Sequence, residues 1–344
     1  HFIPMLNPDG AEKFQRRNAV GIDLNRDALH LQSPEARILK SLRDELKADW
    51  GFNLHDQSQY YTAGSKEHQA TFSFLAPAYN EAKEVNAVRQ RSMQLTVVLN
   101  EVVHQYLPGQ TAKYDDTFEP RAFGDNIQKW GTSTILIECG GLAGDPEKQE
   151  MRQIHFVMLL AAFHAIASGS YQQYGEADYF AIPDNTRNLM DLLITGAKLE
   201  VQGQPFIVDL AFRSNEIESS STKSGFYTKG YLADLGDLSV YTGVEKLNAK
   251  GMKIVPGKLY PEILEDVQAL DRKGMHRLLE QGYTDVRLRK RPPLDQRYEL
   301  PLLIHSSKST EVQNQVEVGQ NPSFLLQENG TFKYAVVNGR LIKL

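Results

Sequence analysis

The spacing of apolar positions divides the chain into two stretches of different period. In the first, Ser33-Pro34-Glu35 predicts a helix start, with Ser as the cap, Pro in the first turn and an acid near the dipole's positive end. Ile38, Leu39, Leu42 and Leu46 then repeat at helical spacing. Residues 51–54 read as a short strand ending at His55, and Thr134-Ile135-Leu136-Ile137 as a central buried strand ending at Glu138. A long helix is expected over 80–106, with Val85, Val88, Leu95, Leu99, Val102 and Val103 as its buried stripe and Pro108-Gly109 as its stop. Another should run from Pro146 to about Ala167. Asn7-Pro8-Asp9-Gly10 suits a type I turn, the apolar residues 2–6 before it the end of a strand, and residues 56–79 a long loop or lid. Strands alternating with helices argue for an α/β sheet covered on both faces, whose site gathers beyond the strand ends.

The period changes after residue 172. Residues 173–185, with Tyr174, Tyr179 and Pro183, read as a linker. Residues 186–344 read as a β-rich, sandwich-like domain: short strands at 192–194, 198–201 and 206–212 with turns at Gly196 and Gly203, and two hairpins marked by Asn329-Gly330 and Asn338-Gly339. One helix is expected there, over 262–281.

With 344 residues, 41% hydrophobic and 24% charged, the chain is an ordinary globular sequence long enough for two domains. A net charge of -5 supplies no basic face for nucleic acid. One cysteine, Cys139, excludes an internal disulfide and any multi-cysteine metal site, and no histidine stands at a useful spacing from it. No apolar run reads as a membrane span, the longest, 156–167, being broken by His164. The opening at His1 looks like the end of a strand and not a natural start, so an upstream segment, carrying any targeting signal, is expected; a periplasmic or secreted location would follow from such a signal. Oligomeric state is not legible.

Candidate chemistry lies in the first stretch. Gly21-Ile22-Asp23-Leu24-Asn25-Arg26-Asp27 ends an apolar run in an amide, a guanidinium and a carboxylate, and Asn25 with Arg26 would offer donors to one anionic group. A carboxylate at the buried end of a strand, as at Glu138, is costly without a partner or a task. A lone histidine at a strand end, as at His55, is by itself a structural residue.

Taken together, the Asn7-Pro8-Asp9-Gly10 turn, the Arg16-Arg17-Asn18 run, the Asp23 to Arg26 segment and the strands ending in His55 and Glu138 resemble the M14 zinc carboxypeptidases over about residues 1–172. The resemblance implies a mixed-sheet α/β catalytic domain, incomplete at its N-terminus. It implies His55 as one of three zinc ligands, Glu138 as the base, Arg16 (or Arg17) as the oxyanion donor, and Asn25 and Arg26 as the grip on the free C-terminal carboxylate of a peptide substrate. Tyr114 would match the family's mobile tyrosine, or be a surface loop residue. The family's His-x-x-Glu motif is absent, so two of the three ligands are missing. The expected activity is removal of a C-terminal residue from peptides, cell-wall peptides among them. The chain as it stands would be an inactive fragment of such an enzyme; the alternative is a non-catalytic module with a degenerate peptidase fold that binds peptide C-termini.

The second stretch resembles more weakly the small β-sandwich of metal-dependent amidohydrolases, through residues 191–197, 250–257 and 337–340. Their His-x-His barrel motif is absent, so an accessory β domain is the expectation.

Overall fold

The computed structural model describes residues 1–64, 68–222 and 225–344. These form two compact units, His1–Arg187 and Asn188–Leu344.

The first unit contains α1 (Pro8–Glu12), α2 (Pro34–Leu46), β1 (Trp50–Asp56), β2 (Thr62–Ala63), β3 (Phe72–Leu75), α3 (Ala87–Tyr106), β4 (Thr111–Lys113), α4 (Phe123–Lys129), β5 (Ser133–Cys139), α5 (Gln149–Ser168), α6 (Glu176–Ala181) and β6 (Asn185–Thr186). Its mixed sheet has the order β1-β5-β3-β4. β1 runs parallel to β5, and β3 runs antiparallel to β5. Alternation along β5 sends Ile135 and Ile137 into a core with Phe72, Phe74, Leu95, Leu99, Met151 and Met158 of β3, α3 and α5. Thr134, Leu136 and Glu138 take the opposite face by the same alternation.

Ser33 caps α2, its hydroxyl accepting from Ala36 N. Asn86 caps α3 in the same way through Arg89 N, so that helix starts later than its apolar stripe suggested. Asn7-Pro8-Asp9-Gly10 opens α1 instead of closing a turn, because the Asn7 side chain accepts from Gly10 N. No strand forms over residues 2–6.

The expected loop at 56–79 contains the buried strand β3, whose β-prone Phe-Ser-Phe-Leu run lay hidden among polar residues; positions 65–67 lie outside the described residues. The segment 173–185 is packed and not free. It carries α6, whose Tyr179 is buried with Ala76 and Met93 and accepts a hydrogen bond from Ala76 N. One helix, α5, is long and apolar enough by length and composition to cross a membrane. Its Met151, Ile154, Met158, Ala162 and Ala165 are buried in the unit's core.

The second unit holds β7 (Leu189–Val201), β8 (Gln204–Glu218), β9 (Phe226–Gly236), β10 (Thr242–Asn248), β11 (Lys253–Pro256), β12 (Lys258–Leu264), α7 (Arg272–Glu280), β13 (Tyr283–Leu288), α8 (Leu294–Glu299), β14 (Leu303–Ser306), β15 (Phe324–Glu328), β16 (Thr331–Val337) and β17 (Arg340–Lys343). Its large sheet has the order β17-β16-β15-β11-β7-β8-β9, with β10 also on β7. The two strands expected at 192–194 and 198–201 are one, β7, with a register shift between Ile194 and Ala197 where Gly196 has φ +70°. The helix expected over 262–281 is only α7; its first residues belong to β12 of a separate parallel sheet, β12-β13-β14.

Close packing makes Gly257 irreplaceable by size: a β-carbon there would overlap the Thr284 hydroxyl. Thr284 is fully buried and bonded to Asp285, so it has no room to retreat. Gly257→Ala is expected to destabilise the second unit by roughly 2–3 kcal/mol, the usual scale of overpacking. Equal urea midpoints for the variant and the parent would refute this.

Candidate functional site

The parallel pairing of β1 and β5 places His55 opposite Glu138 in register, so both side chains leave the sheet on one face near the strands' carboxyl ends. Ser73 of β3 lies opposite Glu138 on the other side. Glu138 is buried, yet among the described residues no hydrogen bond to its carboxylate is seen. Burial and the Asp56 charge push its carboxyl up to about 7, against a smaller opposing pull from Arg16. Burial, then Arg16, lowers the pKa of His55, which favours a neutral imidazole.

Arg16 is the cation that acts on both groups, and its Nε donates to Asp23 Oδ2 at 2.7 Å. The neighbouring Arg17 donates to Gly21 O at 2.8 Å, which ties the loop and leaves the electrostatic role to Arg16. Tyr114 is brought to the same place. Burial, the neighbouring Tyr61 and the Glu138 charge push its phenol up to about 12, so it stays a neutral donor. His55, Glu138, Arg16 and Tyr114, drawn from four separate stretches of sequence, therefore share one electrostatic neighbourhood.

Asn25 and Arg26 sit on a short turn at 24–26 that Asp23 caps, its Oδ1 accepting from Asn25 N. Asp27 secures the other end. Its carboxylate accepts from Gln32 N, Ser33 N and Ser33 Oγ, and although burial opposes it, the Ser33 and Gln32 hydrogen bonds and the Arg37 charge hold its pKa below the usual range. Neither expected grip residue is idle. Asn25 Oδ1 accepts from Phe123 N at 2.9 Å, at the start of α4, where Ala122 offers no side-chain cap. Arg26 is paired with Glu119 (3.3 Å), which also holds Arg121 through two bonds of 3.1 Å. The guanidinium of Arg26 thus already has a carboxylate beside it, one the spacing did not reveal. Asp125, overlooked as a titrating group, is pushed up to about 6, chiefly by burial, with Glu119 adding to the rise and Arg26 opposing it. Its position in the first turn of α4 was the available signal.

Zinc requires about three protein donors in an open catalytic site. Among the described residues no group of three His, Cys, Asp or Glu side chains converges. His55 and Glu138 alone do not fit the metal, so the expected zinc site is not formed by these residues. Cys139 does have a histidine partner, contrary to expectation: its sulfur lies 3.3 Å from His155 Nδ1 on α5, while burial pushes the thiol up to about 12. That pair lies on the core face of the sheet.

No family model matches the chain, and no curated protein matches it in sequence. Among solved structures it is similar to a D-aminoacylase, described as defining a subset of amidohydrolases, at 19% identity over 29% of this chain and 18% of that one, with a TM-score of 0.21. An N-acyl-D-glutamate deacylase from Bordetella bronchiseptica, solved with zinc and a phosphonate inhibitor, matches at 19% identity over 29% and 19% of the two chains, TM-score 0.22. A D-hydantoinase from Bacillus sp. AR9 matches at 15% identity over 28% and 19%, TM-score 0.18. This chain therefore spans less than a fifth of the length of the structures it matches. The likeness to M14 carboxypeptidases is thereby corrected: the solved structures found are deacylases and amidohydrolases, and no M14 family model matches. Scores this low show neither fold nor activity for the chain.

Two outcomes follow from the site. Elemental analysis of the purified chain should find clearly less than one zinc per molecule; chelator-resistant stoichiometric zinc would show that a donor set has been overlooked. The Glu138 carboxyl has a pKa of about 7 when folded, against an ordinary 4.5, so the native state holds this proton more tightly than the unfolded chain. Its contribution is present at low pH and is lost as pH rises from about 4.5 to about 7. Glu138→Gln should flatten that slope and stabilise the protein at pH 8 by on the order of 2–3 kcal/mol. Parallel stability-against-pH curves for the two proteins would rule it out.

Proposed function

We propose that the first unit is an amide hydrolase that releases the C-terminal residue of peptides, with Glu138 as its acid–base group. The observation that supports this most is a buried carboxylate with no hydrogen-bond donor among the described residues and a pKa of about 7, beside His55 at a strand end. A structural glutamate at such a position would be expected to carry donors. A pKa near neutrality suits a group that must take a proton from water and then return it to a leaving amine.

Glu138 as carboxylate removes the proton from a water on the His55 face of the sheet, and the resulting hydroxide attacks the substrate carbonyl. The oxygen of the attacked carbonyl gains negative charge as the tetrahedral centre forms, and the Arg16 guanidinium is the cation at hand to stabilise it. Tyr114, held neutral, can donate to the same oxygen or to the substrate backbone. The protonated Glu138 then delivers its proton to the amine nitrogen as the C–N bond breaks. No step is assigned to a metal, because the donors present do not fit one. The Asn25 amide N–H group and Arg26 supply the contact for the terminal carboxylate, which must share Arg26 with Glu119 or displace it.

The lack of a convergent three-donor group favours a second reading, in which the same residues bind peptide C-termini without cleaving them. Turnover separates the two. With a free-acid peptide, kcat should rise with pH about a midpoint near 7. Glu138→Gln should lower kcat by roughly 10²–10⁴-fold with little change in affinity. Arg26→Ala should raise KM by about tenfold or more for the free acid and leave the C-terminal amide, already a poor substrate, almost unaffected. Binding of the free acid with no turnover at any pH would replace hydrolysis by binding alone, and equal cleavage of acid and amide would remove the exopeptidase reading.

A further inference from the structure

The second unit contains a cavity of about 270 Å³ between β9, α8, β14 and the segment around 313–321. Lys229 and Arg297 both line it, and neither forms an ion pair among the described residues. Among the described residues the only hydrogen bond seen for the Arg297 side chain runs to the carbonyl of Pro292, at 3.3 Å, and its Nε is buried without an acceptor. Burial, then the nearby Arg291, lowers its pKa, against opposing contributions from Tyr298 and Tyr227. Leaving such charges unpaired in a partly dry recess is costly unless something arrives to pair them.

The one acid in the lining does not serve as that partner. Asp285 is fully buried, and its carboxylate is consumed by Thr284 Oγ1 (2.6 Å), Asn314 Nδ2 (2.7 Å) and His305 Nε2 (2.6 Å). It acts as a post that sets the His305 ring in place at the cavity wall. Asn314 is fixed at both ends, its Oδ1 accepting from Ser323 N at 3.1 Å. Tyr298 is held flat against Tyr227, with ring centroids 4.8 Å apart and planes 17° apart. The wall is therefore a preset arrangement.

Side-chain amides complete the lining. Asn321 donates through Nδ2 to Asn338 Oδ1 at 3.1 Å, while Asn338 Nδ2 donates to the carbonyls of Thr228 and Tyr298. Those two carbonyls fix the orientation of Asn338, and hence that of Asn321, without appeal to which amide atom was assigned. Amides, a phenol and an imidazole offer both donors and acceptors. A simple inorganic anion can use only donors and would fill little of the space.

We propose that this cavity binds a small hydroxylated carboxylate, of the size and chemistry of a sugar acid. Its carboxylate pairs with Arg297 and Lys229, and its hydroxyls meet His305, Tyr298 and the amides. The site belongs wholly to the second unit.

Titrate the full chain calorimetrically with D-glucuronate, D-glucose and inorganic phosphate, and follow the histidine ring signals by NMR. Glucuronate should bind saturably at one site per chain and shift the His305 resonance, while glucose should not bind measurably. Arg297→Gln and Lys229→Gln should each weaken glucuronate about tenfold or more, with circular dichroism unchanged; if Arg297→Gln misfolds, Lys229→Gln alone decides. Absence of saturable glucuronate binding would overturn the proposal. So would affinity unaltered in a folded Arg297→Gln or Lys229→Gln variant, or phosphate binding more tightly than glucuronate.

Discussion

The first unit depends on one register. Parallel pairing of β1 with β5 sets Phe52 against Ile135 toward the helices α3 and α5, and with the same stroke sets His55 against Glu138 on the other face. Period-two alternation leaves no freedom between the two outcomes: a slip of one residue would bury the imidazole and the carboxylate in the apolar core and expose the isoleucines. The hydrophobic burial that stabilises the sheet is thus also what holds a carboxylate where water and hydrogen-bond donors are scarce. The raised pKa of Glu138 is a consequence of strand pairing, and no special ligand is needed to produce it.

The second unit uses its buried acid differently. Asp285 sits in a parallel strand, fully buried, but every lone-pair direction that matters is met by Thr284, Asn314 or His305. Among the described residues Glu138 has no hydrogen-bond donor, whereas Asp285 is saturated. Two carboxylates with little solvent contact thus sit in opposite surroundings.

Much of this could be read from residue order. The helix at 34–46 follows from its capping residues and apolar spacing, and the strands carrying His55 and Glu138 follow from their apolar runs; the helix expected over 80–106 begins only at Ala87, because Asn86 caps it there, and the terminal hairpins follow from Asn329-Gly330 and Asn338-Gly339, whose asparagines adopt φ +50° and +52°. Pairings between distant segments could not be read. Nothing in the spacing says that Glu119 meets Arg26, that His155 meets Cys139, or that Arg16 and not Arg17 faces His55. The parallel sheet β12-β13-β14 escaped for a related reason: its edge strand, Lys258–Leu264, is mixed in polarity, and its partners lie beyond an intervening helix. The resemblance to M14 carboxypeptidases rested on short motifs, and motifs carry no information about whether a complete donor set converges.

The bond from Phe123 N to Asn25 Oδ1 spans 98 residues of sequence and stands where α4 has no cap of its own. A contact of such separation is costly in loop entropy. The first turn of α4 is therefore completed only when the 23–27 loop docks, and undocking of that loop frays the helix. Loop and helix end are therefore coupled, and local unfolding of one is expected to carry the other with it.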